Sequence, residues 1–115
     1  MQYEYFYGAQ AEQFSFYRIP KALFTEPNFR ELSTDAKVLY GILLDRMSLS
    51  LKNQWLDAQN KVYIIFTVEE IMDALNCANQ KATRLMVELE KQAGLIERKR
   101  QGLGRPNLIY VKNFA

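Results

Sequence analysis

The sequence predicts an α+β fold: a winged helix-turn-helix with a three-helix core, an extra β-hairpin and a C-terminal β-hairpin wing. Three observations predict it. Between Thr67 and Val111 a capped short helix, a tight turn, a second helix with a polar and basic face and a basic, glycine-containing hairpin follow one another without a break, which is the order of elements in that fold. Charge is unevenly placed, because residues 1–77 carry 7 Lys and Arg against 10 Asp and Glu while residues 78–115 carry 8 against 3. Finally, 115 residues, 49% hydrophobic and 13% aromatic, suffice for one core and one domain.

The elements follow in order. Residues 1–13 mix Tyr, Glu and Gln with no sustained period, which reads as a flexible or dimerisation arm ahead of a domain over residues 14–115. Phe14 to Ile19 has the composition of a short strand, Pro20 ends it, and Lys21 to Phe24 suits one helical turn before the Thr25-Glu26-Pro27-Asn28 turn. Ser33 is a good N-cap. Behind it Val38, Leu39, Ile42, Leu43, Met47 and Leu51 recur at helical spacing, so a helix is predicted over about Thr34 to Ser48. Trp55 to Asp57, a polar turn at Ala58 to Lys61, and Val62 to Phe66 read as a hairpin, and the second strand, apolar on both faces, should be central.

Thr67 with Glu70 three residues on is a capping box: the Thr oxygen accepts from the Glu N–H and the Glu carboxylate accepts from the Thr N–H. Ile71, Met72 and Leu75 line the inner face of that helix, and Asn76-Cys77 turns the chain before Ala78 or Asn79 opens the next. In the second helix Ala82, Leu85, Met86, Leu89 and Ala93 form an apolar stripe, and Gly94 stands where a left-handed cap is needed. Leu95-Ile96 starts a strand, Gly102 to Asn107 turns it, and Leu108 to Val111 returns.

The residue inventory excludes several chemistries. There is no histidine, and Cys77, the single cysteine, has no histidine to activate it or to complete a metal site, so no catalytic triad, zinc site or cofactor is expected and Cys77 reads as a small buried filler. Glu69, Glu70 and Asp73 complement a helix dipole rather than forming a catalytic set. Gly102-x-Gly104 sits between two strands and is a hairpin tip, not a phosphate-cradling loop. No apolar run approaches the roughly 20 residues of a membrane span, and no signal peptide is visible, which points to a cytoplasmic protein with no membrane partner.

What remains is a surface suited to DNA. The outer face of the second helix presents Gln80, Lys81, Thr83 and Arg84 with no carboxylate before Glu88, and these side chains can read adenine, guanine and the thymine methyl; an ordinary solvated face is the alternative. Arg98, Lys99, Arg100 and Arg105 surround the hairpin tip with positive charge suited to phosphate. Such charges imply a log–log salt slope of about −4 to −6 per subunit. Tyr3, Tyr5, Phe6 and Tyr7, with Phe14 to Tyr17, hold more aromatic surface than a small domain buries, which points to a homodimer ahead of a single-strand stacking platform.

Several blocks also resemble a known family. They are Phe16-Tyr17-Arg18-Ile19-Pro20-Lys21-Ala22-Leu23-Phe24, Leu32-Ser33-Thr34-Asp35-Ala36-Lys37-Val38-Leu39-Tyr40, Leu44 to Ser50, Val62 to Thr67 and Gly94 to Asn107. In that order, from about Phe14 to Phe114, they resemble the N-terminal domain of the RepA_N-type replication initiators of plasmids and conjugative elements of low-GC Gram-positive bacteria. The resemblance implies a winged helix that binds repeated double-stranded sites at the origin as a dimer. By position it makes the helix from Asn79, with Gln80, Lys81, Thr83 and Arg84, the recognition helix, and the hairpin with Arg98, Lys99, Arg100, Arg105 and Asn107 the wing. In the family a separate C-terminal domain engages host replication proteins; this chain ends at Ala115, just after the wing, so origin binding without initiation is expected of it. A winged-helix transcriptional repressor is the alternative reading, and a winged helix used purely for protein assembly is disfavoured by the charge split.

Overall fold

The computed structural model describes residues 2–8 and 13–115. Four helices and a two-stranded antiparallel sheet enclose one core. α1 (Ala22–Thr25) is the single turn expected after Pro20, and a 3-10 turn at Pro27–Phe29 leads toward Ser33. α2 (Thr34–Lys52) starts where the Ser33 hydroxyl accepts from the Ala36 N–H at 3.1 Å, and it runs four residues beyond the predicted Ser48. Leu39 and Leu43 on its inner face are wholly buried, each stabilising the fold by roughly 1.5–3 kcal/mol.

α3 (Val68–Leu75) has the predicted capping box, with the Thr67 N–H donating to Glu70 Oε1 at 3.0 Å and the Glu70 N–H donating to Thr67 Oγ1 at 3.2 Å. Asn76 ends it at φ 52°, a left-handed conformation that asparagine tolerates better than most residues. α4 (Asn79–Val87) then runs with Ala82, Leu85 and Met86 buried, and widens into a π turn over Glu88–Gln92. Gly94 at φ 66° closes the segment, in the left-handed state expected of it. The two helices of the motif are therefore separated by the short turn that the sequence predicts.

β1 (Ile96–Lys99) pairs antiparallel with β2 (Leu108–Val111), Ile96 opposite Val111 and Lys99 opposite Leu108. The Val62–Phe66 run lies beside β2, because Ile64 and Ile109 exchange both backbone hydrogen bonds at 2.9 Å. On its other side the Tyr63 N–H donates to the Trp55 carbonyl at 3.2 Å, so the run is central as predicted. The extra hairpin itself is reduced to a single bridge, Leu56 with Val62. Asp57 explains the reduction: its Oδ1 accepts from the Gln59 and Lys61 N–H groups at 2.8 and 2.9 Å, closing a compact turn in place of further ladder. Those bonds, that of Lys61 first, hold the Asp57 carboxyl below the ordinary carboxylate range.

One expected element is absent. Phe14 to Ile19 is not in a strand; the segment is extended without ladder partners among the described residues and packs instead on α2. It approaches so closely at Gly41 that a Cβ there would lie 2.8 Å from Ile19 Cγ1 and 2.9 Å from the Arg18 carbonyl oxygen. The aromatic and β-branched composition favoured extended backbone, but no open sheet edge faces it. The arm expected over residues 1–13 lies partly outside the described residues. Cys77 is half-buried beside the core rather than fully enclosed.

Candidate nucleic-acid interface

α4 opens with a helix end that has no side-chain cap at Ala78 and no acidic residue in its first turn. Its leading N–H groups carry the partial positive charge of the helix dipole with no acidic side chain to offset it, which is the arrangement that receives anions. On the outer face of this helix Asn79, Gln80, Thr83 and Arg84 are exposed. The side chains of Gln80 and Arg84, one helical turn apart, form no hydrogen bond or ion pair with any described residue, so both are open to an external partner. Thr83 Oγ1 donates to Asn79 Oδ1 at 3.4 Å. Lys81 is half-buried and its Nζ lies 2.7 Å from Asp35 Oδ2, which joins α4 to the first turn of α2.

The hairpin beyond β1 presents Lys99, Arg100, Arg105 and Asn107 to solvent. Its tip is built on Gly102 at φ 124° and Gly104 at φ 76°, which a side chain would strain. The Arg105 N–H donating to the Gly102 carbonyl at 3.3 Å and Gln101 Nε2 donating to the Pro106 carbonyl at 2.8 Å close it upon itself. Leu103, at the end of the tip, is 99% exposed. A cleft of about 260 Å³ lies between the hairpin and the helices, lined by Thr67, Val68, Met86, Arg98, Arg105 and Asn107 among others. It brings the hairpin to the start of α3 and the flank of α4.

Arg98 differs from its basic neighbours. Its guanidinium donates to Glu90 Oε1 through Nη2 at 2.9 Å and Nε at 3.2 Å, while its backbone N–H donates to Glu90 Oε2 at 3.0 Å. Both side chains are mostly buried, 24% and 16% exposed. The hydrogen bonds and charge of Arg98 hold the Glu90 carboxyl below the ordinary glutamate range although burial opposes this.

Sequence reasoning missed the supporting contacts. Glu88, in the π turn, is buried and accepts from both the N–H and the hydroxyl of Ser33 at 2.9 Å, so it completes the α2 cap from 55 residues away. The Tyr40 hydroxyl donates to the Lys112 carbonyl at 2.8 Å, and the Tyr110 hydroxyl to Asp57 Oδ2 at 3.1 Å, tying β2 and its extension to α2 and to the Trp55 turn. Arg46 of α2 pairs with Glu70 and lies over the Phe66 ring at 4.7 Å. For Glu88 and Glu90 the only available signal was the abrupt return of carboxylates after a run of α4 without any.

Among the described residues no cluster of His, Cys, Asp and Glu could hold a metal ion, and no helix is long and apolar enough to cross a membrane. Comparison with known proteins gives a consistent result. The family described as replication initiator protein A (RepA) N-terminus matches residues 15–115. A 41 kDa protein of Lactobacillus helveticus is 32% identical over 92 residues, covering 80% of this chain and 26% of that protein, so the chain spans about a quarter of the length of this curated relative. A solved structure described as the N-terminal domain of a DNA-binding protein superposes with a TM-score of 0.79 at 39% identity, over 97% of this chain and 85% of that one. A Rep–DNA complex gives 0.79 at 39% identity, over 96% and 84%. The structure of an MDR initiator gives 0.77 at 40% identity, over 97% and 88%.

Proposed function

Because the chain belongs to the family of replication initiator protein A N-termini, we propose that it binds double-stranded DNA sequence-specifically at the replication origin of a plasmid or conjugative element. The observation that carries the reading is the pair Gln80 and Arg84, exposed and without internal partners on a helix whose first turns hold no carboxylate, beside a hairpin bearing Lys99, Arg100 and Arg105. The helix supplies base readout and the hairpin grips phosphate. Asn79, Lys81, Thr83 and Asn107 complete the contact set, Lys81 with part of its charge already engaged by Asp35, while Arg98 belongs to the site through the hairpin it anchors, its charge engaged by Glu90. The function is one of binding rather than catalysis, exercised in the cytoplasm where such DNA resides.

A homodimer fits this role. Phe14, Phe16 and Tyr17 are exposed, and Phe6, Phe14 and Phe16 form an edge-on aromatic series with ring separations of 6.0 and 6.4 Å. A series of that size in solvent supports a subunit contact made by the arm and the segment behind it. Light scattering should report a dimer that dissociates when residues 1–13 are deleted; a monomer in both cases would count against it.

Footprinting with the purified chain on the replicon that encodes it tests the function. Protection of repeated sites at the origin is expected. Protection confined to a promoter would instead make the protein a repressor, and no protection at any sequence would end the DNA-binding reading.

A further inference from the structure

β1 is the outer strand of the wing, and its pairing shows which way Arg98 faces. Arg98 stands opposite Ile109, whose own N–H and carbonyl are both used by Ile64 on the far side of β2. Arg98 and Ile109 are therefore a non-hydrogen-bonded pair, and the Arg98 N–H points away from the sheet. Glu90 is where it points. One carboxylate thus receives the backbone N–H of a wing strand and, on its other oxygen, two donors of the same residue's guanidinium. Glu90 belongs to the π turn that continues α4, and a second bond, from the Leu95 N–H to the Leu89 carbonyl at 2.8 Å, fixes the chain between them.

We propose that Glu90 and Arg98 are a positioning pair that sets the wing against the recognition helix, and that Arg98 makes no phosphate contact of its own. The proposal rests on the DNA-binding reading above. A carboxylate close to a phosphate-binding surface opposes binding by its charge alone, so Glu90 is a residue that simple electrostatics would remove. The geometry gives the opposite sign: without Glu90 the strand loses the acceptor for its outward N–H and for its guanidinium together. The phosphate grip then belongs to Lys99, Arg100 and Arg105, whose side chains have no such partner among the described residues.

The experiment measures binding of the full chain to a mixed-sequence duplex of about 30 base pairs by fluorescence anisotropy over a range of salt concentrations, with far-UV circular dichroism to verify folding. Arg100→Gln should flatten the log–log salt slope by about 0.9, the loss of one phosphate contact. Arg98→Gln and Glu90→Gln should each weaken binding several-fold at every salt concentration with the slope unchanged, and the double variant should be no weaker than either single one, because the pair acts as a unit. Amide exchange should quicken at Arg98 in Glu90→Ala, which removes both acceptor oxygens, by about tenfold, and not at Ile109. If Arg98→Gln does not fold, Arg98→Met replaces it, keeping the side-chain bulk without the charge, with the same unchanged slope expected. A slope flattened by Arg98→Gln as much as by Arg100→Gln, or tighter binding by Glu90→Gln, overturns the positioning role alone. No duplex binding by the unsubstituted chain overturns the DNA-binding reading and the pair's role with it.

Discussion

The two ends of α4 put polar residues to opposite use. At the N-terminal end the side chains of Gln80 and Arg84 stand in solvent with no partner among the described residues, whereas in the π turn at the other end Glu88 and Glu90 are folded inward onto Ser33 and Arg98. One end is available to a partner and the other is consumed by the fold. A reading surface has to be held still by something that is not itself reading, and here a single helix does both. The comparison separates residues whose loss should be seen as lost stability from those whose loss should be seen as lost recognition.

The largest effect should come from the inward end. Glu88→Ala leaves the N–H and hydroxyl of Ser33 without their acceptor in a half-buried site, and should cost about 2–3 kcal/mol of unfolding free energy. Thermal unfolding should show a fall in Tm on the order of 10 °C; a change under about 2 °C would mean that the α2 cap does not depend on Glu88. Arg84→Ala and Gln80→Ala should do the reverse, leaving Tm nearly unchanged while relaxing discrimination at particular base pairs by roughly 1–3 kcal/mol. Competition binding on a footprinted site and its single-base variants measures this. Uniform weakening on every sequence would return both residues to the category of ordinary surface.

A smaller effect is expected between the two ends. Lys81 pairs with Asp35 in an exposed geometry, so Asp35→Asn should change stability by no more than about 0.5 kcal/mol. By releasing Lys81 it should tighten binding to a mixed-sequence duplex a few-fold at low salt. Weaker binding would show that Asp35 supports the helix rather than restraining its lysine.

The smallest effect is set by pH. Glu90 has its folded-state pKa lowered by Arg98, so its stabilising contribution is complete above the ordinary glutamate value near 4.5 and is lost as pH falls through the lowered folded value. The stability gap between the natural chain and Arg98→Gln should therefore be constant at neutral pH and shrink below about pH 4.5, as followed by urea unfolding. A gap that persists at pH 2 would place the role of Arg98 in packing rather than in the ion pair.

The parts of this molecule legible in the sequence are those set by neighbours along the chain. Ser33, the Thr67–Glu70 box and Gly94 obey rules of three or four residues, and the helix-turn-helix and basic hairpin followed from them together with the apolar stripe of α4. What was not legible depends on residues meeting from afar. Phe14 to Ile19 has strand composition but no edge to join, and Gly41 carries no sign in the sequence that the Arg18 carbonyl crosses it. Asp57 reads as the last residue of the hairpin's first strand, not as the acceptor that halts its ladder. The candidate site was visible as a set of polar and basic types; that Arg98 is already paired was not, because Glu90 lies on a different element and its direction is set by a π turn with no residue signature.

The wing tip is closed within itself, by Gln101 to Pro106 and Arg105 to Gly102, while the register of β1 and β2 is held below it by the pairs from Ile96–Val111 to Lys99–Leu108. Among the described residues Gln101 to Gly104 make no hydrogen bond to the body of the domain, and doubling such a loop costs only about 0.6 kcal/mol of closure entropy. Insertions and charge changes between Gln101 and Gly104 are thus nearly neutral for folding yet alter how far the hairpin extends and how many cations it carries. The tip is therefore the part of the domain whose length can change at least cost to the frame that carries it.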